Sequence, residues 1–150
     1  MAKINILLVD DHNLFRNGLK LLLNNYKNIN IVGEASNGKE FAEHNSLNQT
    51  NIALVDIDMP IMDGIEATKR LKKENAENRV VALTVHEDKQ FLVQMMKAGA
   101  SGYISKQARS EELVAAIQTA ASGNVFLQPT QMRWLIEGYH APASRKSGAA

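Results

Sequence analysis

Ile4-Asn5-Ile6-Leu7-Leu8-Val9-Asp10-Asp11 is a brief apolar run stopped by two adjacent aspartates. A short Ile/Leu/Val run of this kind suits a β-strand buried on both faces, where helices on either side remove the need for polar alternation. Four further runs follow, at residues 29–35, 52–55, 80–84 and 102–104. Between them the apolar residues recur at helical spacing. The sets are Leu14, Leu19, Leu22 and Leu23; Phe41 and Leu47; Ile65, Ala67, Thr68 and Leu71; Phe91, Leu92, Met95 and Met96; and Leu113, Ala116, Ile117 and Ala120. The second helix, within residues 40–49, has the thinnest apolar stripe. Asn37-Gly38, Asp63-Gly64, Ala98-Gly99, Ser101-Gly102 and Ser122-Gly123 fall at the junctions, where turns and helix caps favour Gly or Asn. Regular strand–helix alternation implies parallel strands joined by right-handed crossovers, hence an α/β fold with five strands and helices on both faces.

The 150 residues, 45% hydrophobic, suffice for one core with a short appendage. Seventeen Lys and Arg against sixteen Asp and Glu leave a formal charge of +1. No global field draws in nucleic acid or anionic membrane, so binding has to work through a site. Cysteine is absent, which excludes disulfide scaffolds, thiolate zinc sites and cysteine nucleophiles. The N-terminal apolar stretch falls far short of the roughly 20 residues that span a bilayer. A cytoplasmic protein without membrane contact is expected. After about Leu127 the alternation stops. Gln128-Pro129-Thr130 followed by Met132, Trp134, Leu135 and Ile136 predicts one more short helix with proline in its first turn. The expected organisation is a domain over residues 3–126, a helical extension over 127–140, and a disordered tail or remnant over 141–150.

In open parallel sheets ligands bind beyond the carboxyl ends of the strands. The first strand ends in Asp10-Asp11, the third in Asp56-Ile57-Asp58, the fourth in Thr84, and Ser105-Lys106 follows the fifth. Carboxylates gathered at one edge repel one another unless a hard divalent cation holds them ionised, and Mg²⁺ (or Mn²⁺), with its preference for oxygen ligands, suits the set. With Lys106 opposite, Asp56 can attack a phosphoryl donor to give an aspartyl phosphate. The work of the site is positioning and charge neutralisation as the phosphoryl oxygens gain charge. Asp10 and Asp11 hold the metal, Thr84 donates a hydroxyl hydrogen bond to the phosphoryl group, and Lys106 neutralises another of its oxygens. Asp11 has a second reading as the cap of the helix that follows.

The segments Leu8-Val9-Asp10-Asp11, Val55-Asp56-Ile57-Asp58-Met59-Pro60-Ile61-Met62-Asp63-Gly64, Ala82-Leu83-Thr84 and Gly102-Tyr103-Ile104-Ser105-Lys106 resemble the signature of response-regulator receiver domains, the family of CheY. The resemblance runs from about Lys3 to Phe126. Residues 11–19, Gly33-Glu34-Ala35-Ser36-Asn37-Gly38 and Ala98-Gly99-Ala100-Ser101-Gly102-Tyr103 are similar to the NarL/FixJ branch, whose members carry a C-terminal helix-turn-helix DNA-binding domain for which residues 128–150 leave no room. The resemblance implies the doubly wound, flavodoxin-like sheet order 2-1-3-4-5. It further implies phosphorylation of Asp56 by a sensor histidine kinase, a metal set of Asp10, Asp11, Asp56 and the backbone carbonyl of Asp58, and a switch in which Thr84 moves toward the phosphoryl group while Tyr103 swings inward. The expected product is a signalling switch rather than an enzyme, with DNA reached only through the absent output domain and a weak homodimer formed on phosphorylation. Leu19, Leu23, Leu113 and Ala116 offer apolar positions for that dimer, but most are needed for the core, so any interface left over is small. Many members have proline after the lysine with a cis peptide there; Gln107 stands in its place, where a cis bond costs roughly 3 kcal/mol.

Two other functions compete. A haloacid-dehalogenase-like phosphohydrolase also pairs an aspartate nucleophile with magnesium. Asp58 supplies the second aspartate such an enzyme needs, but Met59-Pro60 stands where its threonine or valine motif belongs. A flavodoxin-like carrier is opposed by the acidic loop Asp10-Asp11-His12-Asn13, which would repel a flavin phosphate. A receiver acting alone on a protein partner is the remaining variant.

Overall fold

The computed structural model describes residues 3–43, 49–57, 64–74, 77–85 and 88–140. Asp58, Met59-Pro60, Asp63, Leu47 and the tail 141–150 lie outside them. The elements run β1 (Ile4–Val9), α1 (Asn13–Leu23), β2 (Ile29–Ala35), α2 (Gly38–Ala42), β3 (Ile52–Asp56), α3 (Gly64–Glu74), β4 (Arg79–Thr84), α4 (Lys89–Lys97), β5 (Gly102–Ser105), α5 (Ser110–Ala121) and α6 (Pro129–His140). All four strand pairings are parallel and the order is β2-β1-β3-β4-β5, as expected.

The period of two within each strand sorts the core. Leu7 and Val9 of β1 and Ala53 and Val55 of β3 face one side, against Phe41, Ala67, Leu71, Leu92 and Met95. Ile6, Leu8, Ile52 and Leu54 face the other, against Leu19 and Leu23 of α1 and Leu113, Ala116, Ile117 and Ala120 of α5. Each large apolar side chain so covered contributes about 1.5–3 kcal/mol of transfer free energy. Thus α1 and α5 cover one face and α2, α3 and α4 the other. Gly99 and Gly123, with φ of 109° and 90°, end α4 and α5 in the left-handed backbone that glycine adopts without steric cost.

Several expectations need correction. Leu14 does not join the core: it is 83% exposed. It sits in the first turn of α1, beyond the end of the strand it would have to cover. It borders an apolar groove of about 580 Å³ between α1 and α5, with Phe15, Leu22, Val85 and Ile104. Leu19, Leu23, Leu113 and Ala116 are all buried, so the core takes all four positions where most were expected to be needed for it. Asp11 does not cap α1. The N-cap is His12, with no side-chain cap bond, and Asp10 Oδ1 instead accepts from the His12 amide at 2.8 Å. No described peptide bond is cis, so Lys106–Gln107 is trans.

The chain beyond α5 is more integrated than its composition suggests. Phe126 forms a parallel bridge to Gly102, its amide donating to the Ser101 carbonyl at 2.8 Å, and covers the outer edge of β5. Proline opens α6, as expected, and the helix lies against α4. Trp134 packs on the cluster that holds Met95 and Tyr103, and Lys89 pairs with Glu137 at 2.6 Å. Ile136, in contrast, is half exposed.

Candidate functional site

Parallel pairing sets the strand ends level. Val9 lies opposite Val55, Asp56 opposite Leu83, and Thr84 opposite Ser105, so the residues that follow β1 and end β3 and β4 reach one edge together with the loop after β5. One oxygen each from Asp10, Asp11 and Asp56 lie within 4.8 Å of one another. Asp10 and Asp56 are buried and Asp11 is exposed, so the cluster opens to solvent on the Asp11 side. Lys106 enters from the β5–α5 loop, which is tied down by its amide donating to the Thr84 carbonyl at 2.8 Å and by the Gln107 amide donating to Ser105 Oγ at 3.1 Å. Its Nζ lies 2.7 Å from Asp10 Oδ2 and donates to Asp56 Oδ2 at 3.1 Å.

The electrostatics follow from one ammonium serving two buried carboxylates. Burial holds the Asp10 carboxyl above the ordinary carboxylate range, with Lys106 and the His12 amide pulling it back and Asp56 adding to the rise. Burial alone would lower Lys106, but the Asp10 and Asp56 carboxylates outweigh it and hold the ammonium above the ordinary lysine value. Asp10 Oδ2 has the Lys106 charge beside it but no hydrogen-bond donor in proper geometry. A buried carboxylate oxygen served only by a shared ammonium, in a cluster with two other carboxylates, is the arrangement a hard cation completes. The donor set is all oxygen, which fits a metal of that class.

Thr84 closes β4 and is fully buried. Tyr103 is already fully inward, within the cluster on the α4 side of the sheet. Three residues at the cluster were not singled out by the sequence as part of it. Phe15 lies under Lys106, its ring centroid 4.7 Å from Nζ, a cation–π contact. Gly64 lets α3 start against the end of β3, since a Cβ there would stand 2.6 Å from the Asp56 carbonyl oxygen and from Ile57 Cα. Arg16 donates to the backbone carbonyl of Asp10. Asp63-Gly64 read as turn chemistry hinted at the second; the other two depend on which helix lies beside the loop.

This geometry coincides with the result of comparison with known proteins. The model of the response regulator receiver domain family matches residues 6–118. The chain belongs to that family. The receiver is 40% identical over 124 residues to the response regulator UvrY of Escherichia coli K12, covering 83% of this chain and 57% of that protein. It is 33% identical over 141 residues to the response regulator GacA of Pseudomonas protegens, covering 94% of this chain and 66% of that protein. Among solved structures, the LuxR-family two-component response regulator from Aurantimonas sp. SI85-9A1 superposes with a TM-score of 0.83 at 28% identity, covering 93% of this chain and 100% of that one. The chain spans roughly three-fifths of the length of the curated relatives it matches. Among the described residues no helix is long and apolar enough to cross a membrane.

Proposed function

We propose that Asp56 accepts a phosphoryl group from a phosphohistidine of a sensor histidine kinase, and that the receiver then changes conformation to control an output. The observation that carries this is the three-carboxylate cluster bridged by one lysine at the carboxyl edge of the sheet. An Asp56 oxygen forms a bond to phosphorus as the phosphorus–nitrogen bond of the donor breaks; the imidazole keeps the bonding pair and takes up a proton. Lys106, now shared between Asp10 and Asp56, is placed to pair with a phosphoryl oxygen, and the Thr84 hydroxyl donates to another. Asp10, Asp11 and Asp56, with the backbone carbonyl of Asp58, would hold Mg²⁺ or Mn²⁺, which would neutralise the charge that builds on the phosphoryl oxygens. Tyr103 and Thr84 are the switch residues of this reading.

The same reading gives residues 3–126 the receiver role and 127–140 a linker role toward a DNA-binding output domain in a cytoplasmic transcription regulator. The relatives are named as response regulators, which supports a switch with no external substrate. Weak self-association on phosphorylation would draw on the exposed Leu14, Leu21 and Val85.

Incubation with Mg²⁺ and acetyl phosphate followed by intact mass measurement tests the assignment. One phosphoryl group is expected on the wild type, and none on Asp56→Asn or in excess chelator. Labelling of Asp56→Asn at the wild-type rate refutes the acceptor, and rapid turnover of phosphate esters would indicate a phosphohydrolase instead.

A further inference from the structure

We propose that Arg16 is a positioning residue for the cation site: anchored on Glu34 of β2, its guanidinium holds the β1–α1 turn from which Asp10 and Asp11 project. This rests on the acidic cluster being the Mg²⁺ and phosphoryl site proposed above. The side chain is 13% exposed, and its three nitrogens each reach a different group. Nε donates to Glu34 Oε1 at 3.0 Å, Nη1 to the backbone carbonyl of Asp10, and Nη2 to Asn13 Oδ1. The rigid fork thus ties the edge strand β2, the peptide unit that joins Asp10 to Asp11 and the first helical residue into one unit. Asp10 Oδ1 already accepts from the His12 amide, so the turn is fixed from both its carbonyl and its carboxylate. Its Oδ2 faces the Lys106 ammonium, which also reaches Asp56. Glu34 is itself kept anionic, its carboxyl lowered below the ordinary range by Lys20 first and by Arg16. Lys20 shares the anchor, 2.8 Å from Glu34 Oε2, but lies a turn further along α1 from the loop.

Two effects of removing Arg16 oppose each other. A guanidinium acting only as a nearby positive charge repels the cation, and its loss would tighten metal binding. A guanidinium acting as a brace makes its loss weaken binding, and groups that orient metal ligands typically cost about 10–100-fold in metal affinity when removed.

Mg²⁺ titrations separate the two, with the rate of phosphorylation by acetyl phosphate as one readout and the Mg²⁺-induced rise in Tm without donor as the other. For Arg16→Met the half-saturating Mg²⁺ is expected to rise about 10-fold, with the maximal rate at saturating Mg²⁺ little changed. Arg16→Lys keeps the charge but lacks the fork, so it should move the same way. Glu34→Gln should move less, in the same direction, and provides the test if Arg16→Met does not fold. Lys20→Met should match the wild type. Unchanged or tighter Mg²⁺ binding in Arg16→Met, or an equal change in Lys20→Met, overturns the brace alone. A wild type that responds to Mg²⁺ in neither readout overturns the acidic-site reading and the brace with it.

Discussion

Replacing Lys106 with methionine removes the one ammonium that lies between Asp10 and Asp56 while keeping an unbranched stem against Phe15. The three side chains are 8%, 1% and 5% exposed, so water replaces little of what the lysine supplied. Removing one partner of a buried ion pair costs about 3–5 kcal/mol, because the remaining charge is left uncompensated. Here two carboxylates lose their partner, yet the cluster opens to solvent at Asp11, which places the expected loss near the lower end, about 3 kcal/mol. At roughly 3 °C per kcal/mol for a chain of this length, Tm at neutral pH should fall by about 10 °C in chelator. Added Mg²⁺ should then raise the Tm of the variant by more than it raises that of the wild type, since the cation replaces the missing charge. Thermal melts followed by circular dichroism, with chelator and with Mg²⁺, measure both quantities. A loss below about 0.5 kcal/mol, the scale of an exposed pair, or equal Mg²⁺ gains in the two proteins, would refute the account of Lys106 as the internal counter-ion of the cluster.

Other expectations rest on the same structure. Because the folded Asp10 carboxyl is raised above its ordinary value of 3.8, its ionised form is penalised on folding, and Asp10→Asn should be more stable than the wild type at neutral pH without metal. That advantage should shrink as pH falls through the raised value toward 3.8; a constant difference in denaturation midpoints from neutrality down to that value contradicts it. Gly64→Ala places a Cβ 2.6 Å from the Asp56 carbonyl oxygen, so despite the better helix propensity of alanine it should cost about 1–2 kcal/mol and slow labelling by acetyl phosphate; full stability with wild-type labelling would show that the loop yields freely. Gly138→Ala puts a Cβ 2.5 Å from Val93 Cγ2 and should push α6 from α4. The single tryptophan, Trp134, then reports the change as a red-shifted emission, and an unshifted spectrum would mean that the helices accommodate the methyl group.

The element order, the sheet class and the edge where the carboxylates and the lysine gather can all be read from the residues alone. Apolar runs such as Ile4–Val9 are short and uninterrupted because each strand is covered on both faces, and polar residues at their carboxyl ends are visible without knowing what they face. Asp10, Asp11, Asp56, Thr84 and Lys106 were legible for that reason, and parallel register brings the three carboxylates and the lysine together. Features that depend on partners distant in the chain emerge only on folding. Leucine spacing alone could not tell Leu14, exposed at the start of α1, from Leu19, buried on the sheet side of the same helix. Arg16 looks like any helical arginine until β2 brings Glu34 alongside it. Gly138 looks like an interruption of α6 until α4 brings Val93 to it. Local periodicity encodes which side of an element is apolar, whereas the identity of the neighbour on that side is set only when crossovers close and distant side chains compete for the same space.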